Sequence, residues 1–113
     1  MTIAEIAEAV EGRLAVGDDS KRHVKYAFSS DLMSDVLTVM QDNVLLVTGL
    51  ANVQTIRTAI MADISSILLV RNKRATNEMK AAAEENGMVI IESSYSMFRA
   101  SGILYGAGLE AVF

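Results

Sequence analysis

Basic side chains are unevenly spread along this sequence. Arg71, Lys73 and Arg74 place three of its ten Lys and Arg residues in one short stretch directly after the apolar run Ile67 to Val70. Guanidinium and ammonium groups at that spacing can complement a phosphate or a carboxylate. A solvated surface loop would carry the same residues, so both readings stay open. Two further polar stretches also follow apolar runs: Thr48-Gly49-Leu50-Ala51-Asn52 after Val44 to Val47, and Glu92-Ser93-Ser94 after Met88 to Ile91. Where such a stretch leads into a helix, unpaired amides and the positive end of the helix dipole favour an anion. The candidate ligand-binding residues are therefore Thr48, Gly49, Asn52, Arg71, Asn72, Arg74, Ser93 and Ser94. Neither GxGxxG nor GxxxxGK[ST] occurs, which argues against a dinucleotide fingerprint, a P-loop and phosphoryl transfer.

Other chemistry is scarce. With no Cys and one His, disulfides, thiolate nucleophiles, zinc sites and Ser-His-Asp machinery are not expected within the chain. Asp31, Asp35 and Asp42 suggest an acidic cluster, yet Asp31 and Asp35 lie one turn apart near a helix start, where capping and the macrodipole account for them. His23 has no orienting carboxylate nearby in sequence and reads as structural. Four of the seven Met residues, Met33, Met40, Met79 and Met97, fall on apolar helix faces, so they are expected to fill the core. No catalytic residue, metal site or cofactor is implied.

The elements that must position the candidates can be read from periodicity. Thr2 and Glu5 have capping-box spacing, and Ile3, Ile6, Ala7 and Val10 make an amphipathic helix over 3–11, ended by Gly12. Arg13 to Val16 reads as a short strand, Gly17-Asp18-Asp19-Ser20 as a turn, and His23 to Phe28 as a second strand. Ser30 or Asp31 can cap a helix whose Met33, Val36, Leu37 and Met40 share one face. A strand over 44–47 is followed by a helix with Val53, Ile56 and Ile60 on one side. A strand over 67–70 precedes a helix over 76–86 stopped by Gly87. A strand over 88–91 and Ser93-Ser94 as a cap lead to a last helix bearing Met97, Phe98, Ser101, Leu104 and Tyr105. Continuous apolar strands alternating with helices predict a parallel sheet buried on both faces, a βαβαβα core with flanking helices. All three strand-to-helix turns then emerge at one sheet edge, where open α/β sheets place ligands.

Length and charge bound the rest. A chain of 113 residues is one α/β domain, 1–113, and an apolar share of 51% with mean hydropathy +0.31 excludes intrinsic disorder. That much apolar surface predicts a homodimer. The terminal stretch Gly102 to Phe113 can pack on its own sheet or across the dimer, and either buries the same side chains. A net charge of -4 argues against nucleic acid as a partner. An acidic amphipathic start and the lack of a long apolar run argue against a signal peptide or membrane span, so the expected compartment is the cytoplasm.

Three patterns coincide in order: Ser30-Asp31-Leu32-Met33-Ser34-Asp35-Val36-Leu37, then Leu45-Leu46-Val47-Thr48-Gly49 entering a helix, then Met97-Phe98 followed by Gly102-Ile103-Leu104-Tyr105. Together, over nearly the whole chain, they resemble the DRTGG domain family in its stand-alone form. That resemblance implies a fold similar to the non-catalytic amino-terminal domain of HPr kinase/phosphorylase. It also implies a regulatory or assembly role, since such domains occur fused to CBS domains or to the amino-terminal part of phosphate acetyltransferases. The family takes its name from a glycine, an Asp-Arg-Thr element after one strand and a Gly-Gly pair after the next. Those places here read Leu50-Ala51-Asn52-Val53-Gln54-Thr55 and Val70-Arg71-Asn72, so only Thr48 and Gly49 carry over directly. The resulting expectation is a non-catalytic regulatory or protein-interaction domain that forms a homodimer. The alternative is a sensor of an anionic small molecule or nucleotide at the sheet edge. An enzyme assembled by two copies from Asp and Lys residues is a remote third.

Overall fold

A computed structural model describes residues 1–18 and 22–113. Its elements run α1 (Ile3–Ala9), β1 (Arg13–Val16), β2 (Tyr26–Ser29), α2 (Met33–Val36), β3 (Val44–Thr48), α3 (Val53–Met61), β4 (Ser66–Leu69), α4 (Asn77–Glu85), β5 (Val89–Glu92), α5 (Met97–Gly106) and β6 (Glu110–Ala111). The six strands form one sheet in the order β1-β5-β4-β3-β2-β6. Strands β2 to β5 lie side by side in sequence order and parallel, β6 joins β2 in parallel, and β1 alone is antiparallel, against β5.

The unbroken apolar runs of β3, β4 and β5 follow from burial on both faces. Val44, Leu46, Ile67, Leu69 and Ile90 face one core with Val36, Ile56, Ala59, Met79 and Ala83 of α2, α3 and α4. Leu45, Val47, Leu68, Val89 and Ile91 face the other with Ile3 and Ile6 of α1 and Ala100 and Leu104 of α5. The result is a sheet between two helical layers. Thr2 and Glu5 make the expected capping box, with Glu5 N–H donating to Thr2 Oγ1 at 3.1 Å and Thr2 N–H to Glu5 Oε1 at 2.8 Å.

Local periodicity misled at several places. The second strand starts at Tyr26 rather than at His23, which is exposed and makes only an isolated bridge to Thr2. Helix α2 is a single turn, because past Leu37 the chain tightens, with the Thr38 and Val39 N–H groups donating to the Asp35 and Val36 carbonyls, and so brings Val39 into the core. Met40 is consequently 87% exposed and Leu37 also faces outward, so neither shares a core face with Val36. In α3 the buried side is Thr55, Ile56, Thr58 and Ala59, which leaves Ile60 outside. Met79 fills the core as expected, whereas Met33 and Met97 are only partly buried. The expected turn at Gly17 to Ser20 lies partly outside the described residues.

Candidate functional site

Parallel β3, β4 and β5 send their following turns to one edge of the sheet, and antiparallel β1 starts there too, so the α1–β1 turn joins them. Glu92 is the centre of this edge. It closes β5 on the same side as Ile90, and it is 5% exposed. Its Oε1 accepts from Arg13 Nε at 3.0 Å and lies 3.0 Å from Arg13 Nη2 and 3.5 Å from Arg74 Nη1. Its Oε2 accepts from the Ala75 backbone N–H at 2.7 Å, just before α4 begins. A buried carboxylate needs such saturation, since an unpaired charge there is strongly unfavourable. Both arginines keep most of their surface in water and hold further N–H groups for another acceptor.

Around Glu92 lies a cleft of about 190 Å³ lined by Glu11, Gly12, Arg13, Asn72, Lys73, Arg74, Ser93 and Ser94. Gly12 permits the turn to approach β5: a Cβ there would sit 2.8 Å from Ile91 Cγ2 and 2.9 Å from the Glu92 carbonyl oxygen. Ser93 does not cap the last helix. Its hydroxyl donates to the Val10 carbonyl at 2.7 Å and accepts from Tyr95 N–H at 3.1 Å, tying the turn to α1. Ser96 caps α5 instead, accepting from Arg99 N–H at 3.1 Å. Tyr95 donates its hydroxyl to Glu11 Oε2 at 2.6 Å, and Arg99 stacks 3.8 Å over its ring. That hydrogen bond to Glu11 holds the Tyr95 phenol above its ordinary pKa.

The β3 corner is built differently. Asp31 does not cap α2: its Oδ1 accepts from Thr48 Oγ1 at 2.8 Å and from Gly49 N–H at 2.7 Å, leaving Leu32 N–H to Ser30 Oγ at 3.0 Å. The reason is competition. A one-turn helix offers little dipole, whereas the β3 turn presents an amide and a hydroxyl together. Arg71 lies over Gly49, where a Cβ would meet Nε at 2.7 Å, and reaches Asp31 Oδ2 at 4.0 Å. Arg71 and Asn72 both hold φ of 59°, and their N–H groups donate to the Tyr95 and Ser93 carbonyls at 2.7 and 3.0 Å.

The eight candidates are therefore divided. Asn72, Arg74, Ser93 and Ser94 line the Glu92 cleft. Thr48, Gly49 and Arg71 gather around Asp31, and Asn52 caps α3, accepting from Thr55 N–H at 3.1 Å. Residue patterns had left out Arg13, Glu11, Tyr95 and the roles of Asp31 and Glu92. A charged residue closing the apolar run Met88 to Ile91 was the one local signal for Glu92. Among the described residues, no group of three His, Asp or Glu is placed to hold a metal ion, and no helix is long and apolar enough to cross a membrane.

A search of curated protein sequences returns no match. Among solved structures the fold is similar to the CBS and DRTGG domains of the regulatory region of Clostridium perfringens pyrophosphatase, complexed with its activator diadenosine tetraphosphate. The TM-score is 0.78 at 10% identity, covering 91% of this chain and 45% of the other. The sequence pattern of the DRTGG domain matches residues 5–107. This chain therefore belongs to the DRTGG domain family.

Proposed function

We propose that this chain is a non-catalytic, cytoplasmic regulatory module that works as a homodimer and binds an anionic, phosphate-bearing small molecule in the Glu92 cleft. The observation that carries the reading is the arrangement of charge there. Arg13, Lys73 and Arg74 face a space of about 190 Å³, while Glu92 is already engaged by two of them and by the Ala75 amide. Glu92 thus orients its cations rather than serving as an acid or base, since both oxygens are occupied by donors. A phosphate oxygen would take the remaining guanidinium N–H groups and Lys73. The structural neighbour is a regulatory region that holds a nucleotide activator, which supports ligand binding as the means of regulation.

Thermal unfolding with and without millimolar ATP, diadenosine tetraphosphate or inorganic phosphate tests this. A ligand at a hundredfold excess over its Kd stabilises by about 2.7 kcal/mol, or a Tm rise of about 10 °C in a domain of this size. The rise should be lost in Lys73→Ala. If none of the three probes moves Tm, the sensor reading fails and regulation through protein contact alone is left.

A further inference from the structure

Helix α5 has two unlike faces. Ala100 and Leu104 are buried against the sheet, with Met97 partly so. On the opposite side stand Phe98, Gly102, Tyr105 and Gly106, whose i, i+4, i+7 and i+8 spacing makes one stripe. Phe98 is 91% exposed and Tyr105 72%. Both border a groove of about 340 Å³ between α5 and the sheet margin, lined also by Ala27, Val47, Leu109 and Ala111.

The glycines of this stripe have no use within their own chain. A Cβ built on Gly102 or Gly106 meets no atom within 4 Å, and neither residue has positive φ. Gly102 sits mid-helix, where glycine is less favourable than alanine, so nothing in the protomer offsets its presence. The spacing supplies a reason outside the protomer. Phe98 lies four residues before Gly102 and Gly106 four after it. If two α5 helices cross antiparallel at Gly102, each Phe98 ring falls over Gly106 of the second copy. A large ring opposite a missing side chain, twice by symmetry, is the self-complementarity that a two-fold contact requires. A different partner would not call for this near-palindrome.

Charge and area agree with that occupant. Arg99 is the one charged residue of α5, and it is drawn onto the Tyr95 ring, so no like charges meet across the axis. Phe98 and Tyr105 together expose roughly 300 Å², a substantial part of the about 800 Å² that each partner gives to a stable interface. We propose that α5 is the dimer interface of this protein, packing antiparallel on α5 of a second copy with Gly102 at the two-fold axis. The inference rests on the homodimer reading above and assigns it a surface.

Sedimentation velocity of the full chain, with cross-linking of Gly102→Cys, tests it. The chain has no native cysteine, so a thiol at the axis can pair only with its own copy. The wild type should sediment at twice 12.2 kDa at micromolar concentration. Phe98→Glu should weaken the dimer by about 100-fold or more while keeping the far-ultraviolet circular dichroism of the wild type. Gly102→Cys should cross-link on mild oxidation and Glu84→Cys, on exposed α4 surface, should not. A wild type that stays monomeric at 100-fold higher concentration overturns both the interface and the homodimer. A dimer that survives Phe98→Glu and fails to cross-link at position 102 overturns the interface alone.

Discussion

Glu92 and Asp31 are both carboxylates that tie two turns of the sheet edge together, and they differ chiefly in burial. Glu92, 5% exposed, collects two arginines and a backbone amide from two separate segments, the start of β1 and the turn before α4. Asp31, 46% exposed, collects a hydroxyl and an amide from a single turn and meets Arg71 only at 4.0 Å. Burial makes the first cluster obligatory, because losing any donor strands a charge, whereas water can replace a lost partner of Asp31. The β5 corner is therefore the fixed reference of the edge and the β3 corner its adjustable part.

Removing each carboxylate probes that contrast. Glu92→Ala leaves Arg13, Arg74 and the Ala75 N–H without their acceptor. Because both arginines are largely solvated, the expected loss is about 2 kcal/mol in urea unfolding, below that of a fully buried pair. Asp31→Ala exposes the Gly49 N–H and Thr48 hydroxyl to water and should lose about 1 kcal/mol or less. Equal losses in the two variants would mean that burial does not set the two corners apart.

Smaller effects sharpen it. Arg71 occupies a left-handed conformation that is unfavourable for a residue with a Cβ by about 1–2 kcal/mol, and glycine there regains this less its own backbone entropy. Arg71→Gly should thus stabilise slightly, by about 0.5 kcal/mol, even though it deletes the contact with Asp31. A clear destabilisation would mean that the Asp31–Arg71 contact matters more than its 4.0 Å separation indicates. The smallest effect concerns Tyr95, whose phenol the Glu11 hydrogen bond holds above the ordinary value of 10.0. The protonated form is favoured in the folded state, so this contribution is complete below about pH 10 and is lost as pH rises through the raised Tyr95 pKa. Ultraviolet titration of tyrosinate should find Tyr95 ionising at lower pH in Glu11→Ala than in the wild type.

The central layer of the fold was legible because its signal is local. Strands β3, β4 and β5 are apolar runs buried on both faces, and their order in sequence is their order in the sheet. Met40 shows where that signal ends: helical spacing placed it with Val36, but a single helical turn followed by Val39 turning inward satisfied the core instead. The site divides along the same line. Turns after consecutive parallel strands must share an edge, which brought Asn72, Arg74, Ser93 and Ser94 to one cleft. Arg13 was not legible, since antiparallel pairing of β1 with β5 joins residues 79 positions apart. Asp31 was misread because capping is a local rule, and its donors, Thr48 and Gly49, lie 17 and 18 residues away.

Arg71 and Asn72 both hold the left-handed backbone that glycine adopts freely. The turn thus combines a backbone suited to glycine with a guanidinium laid over Gly49.

The most direct test of the account is an amide correlation spectrum of the labelled protein titrated with ATP. Binding in the Glu92 cleft predicts saturable shifts at Arg13, Asn72 to Ala75, Ser93 and Ser94, smaller ones at Gly49, and none along Phe98 to Gly106. Shifts confined to α5, or none at millimolar ATP, would contradict an anion site at the sheet edge.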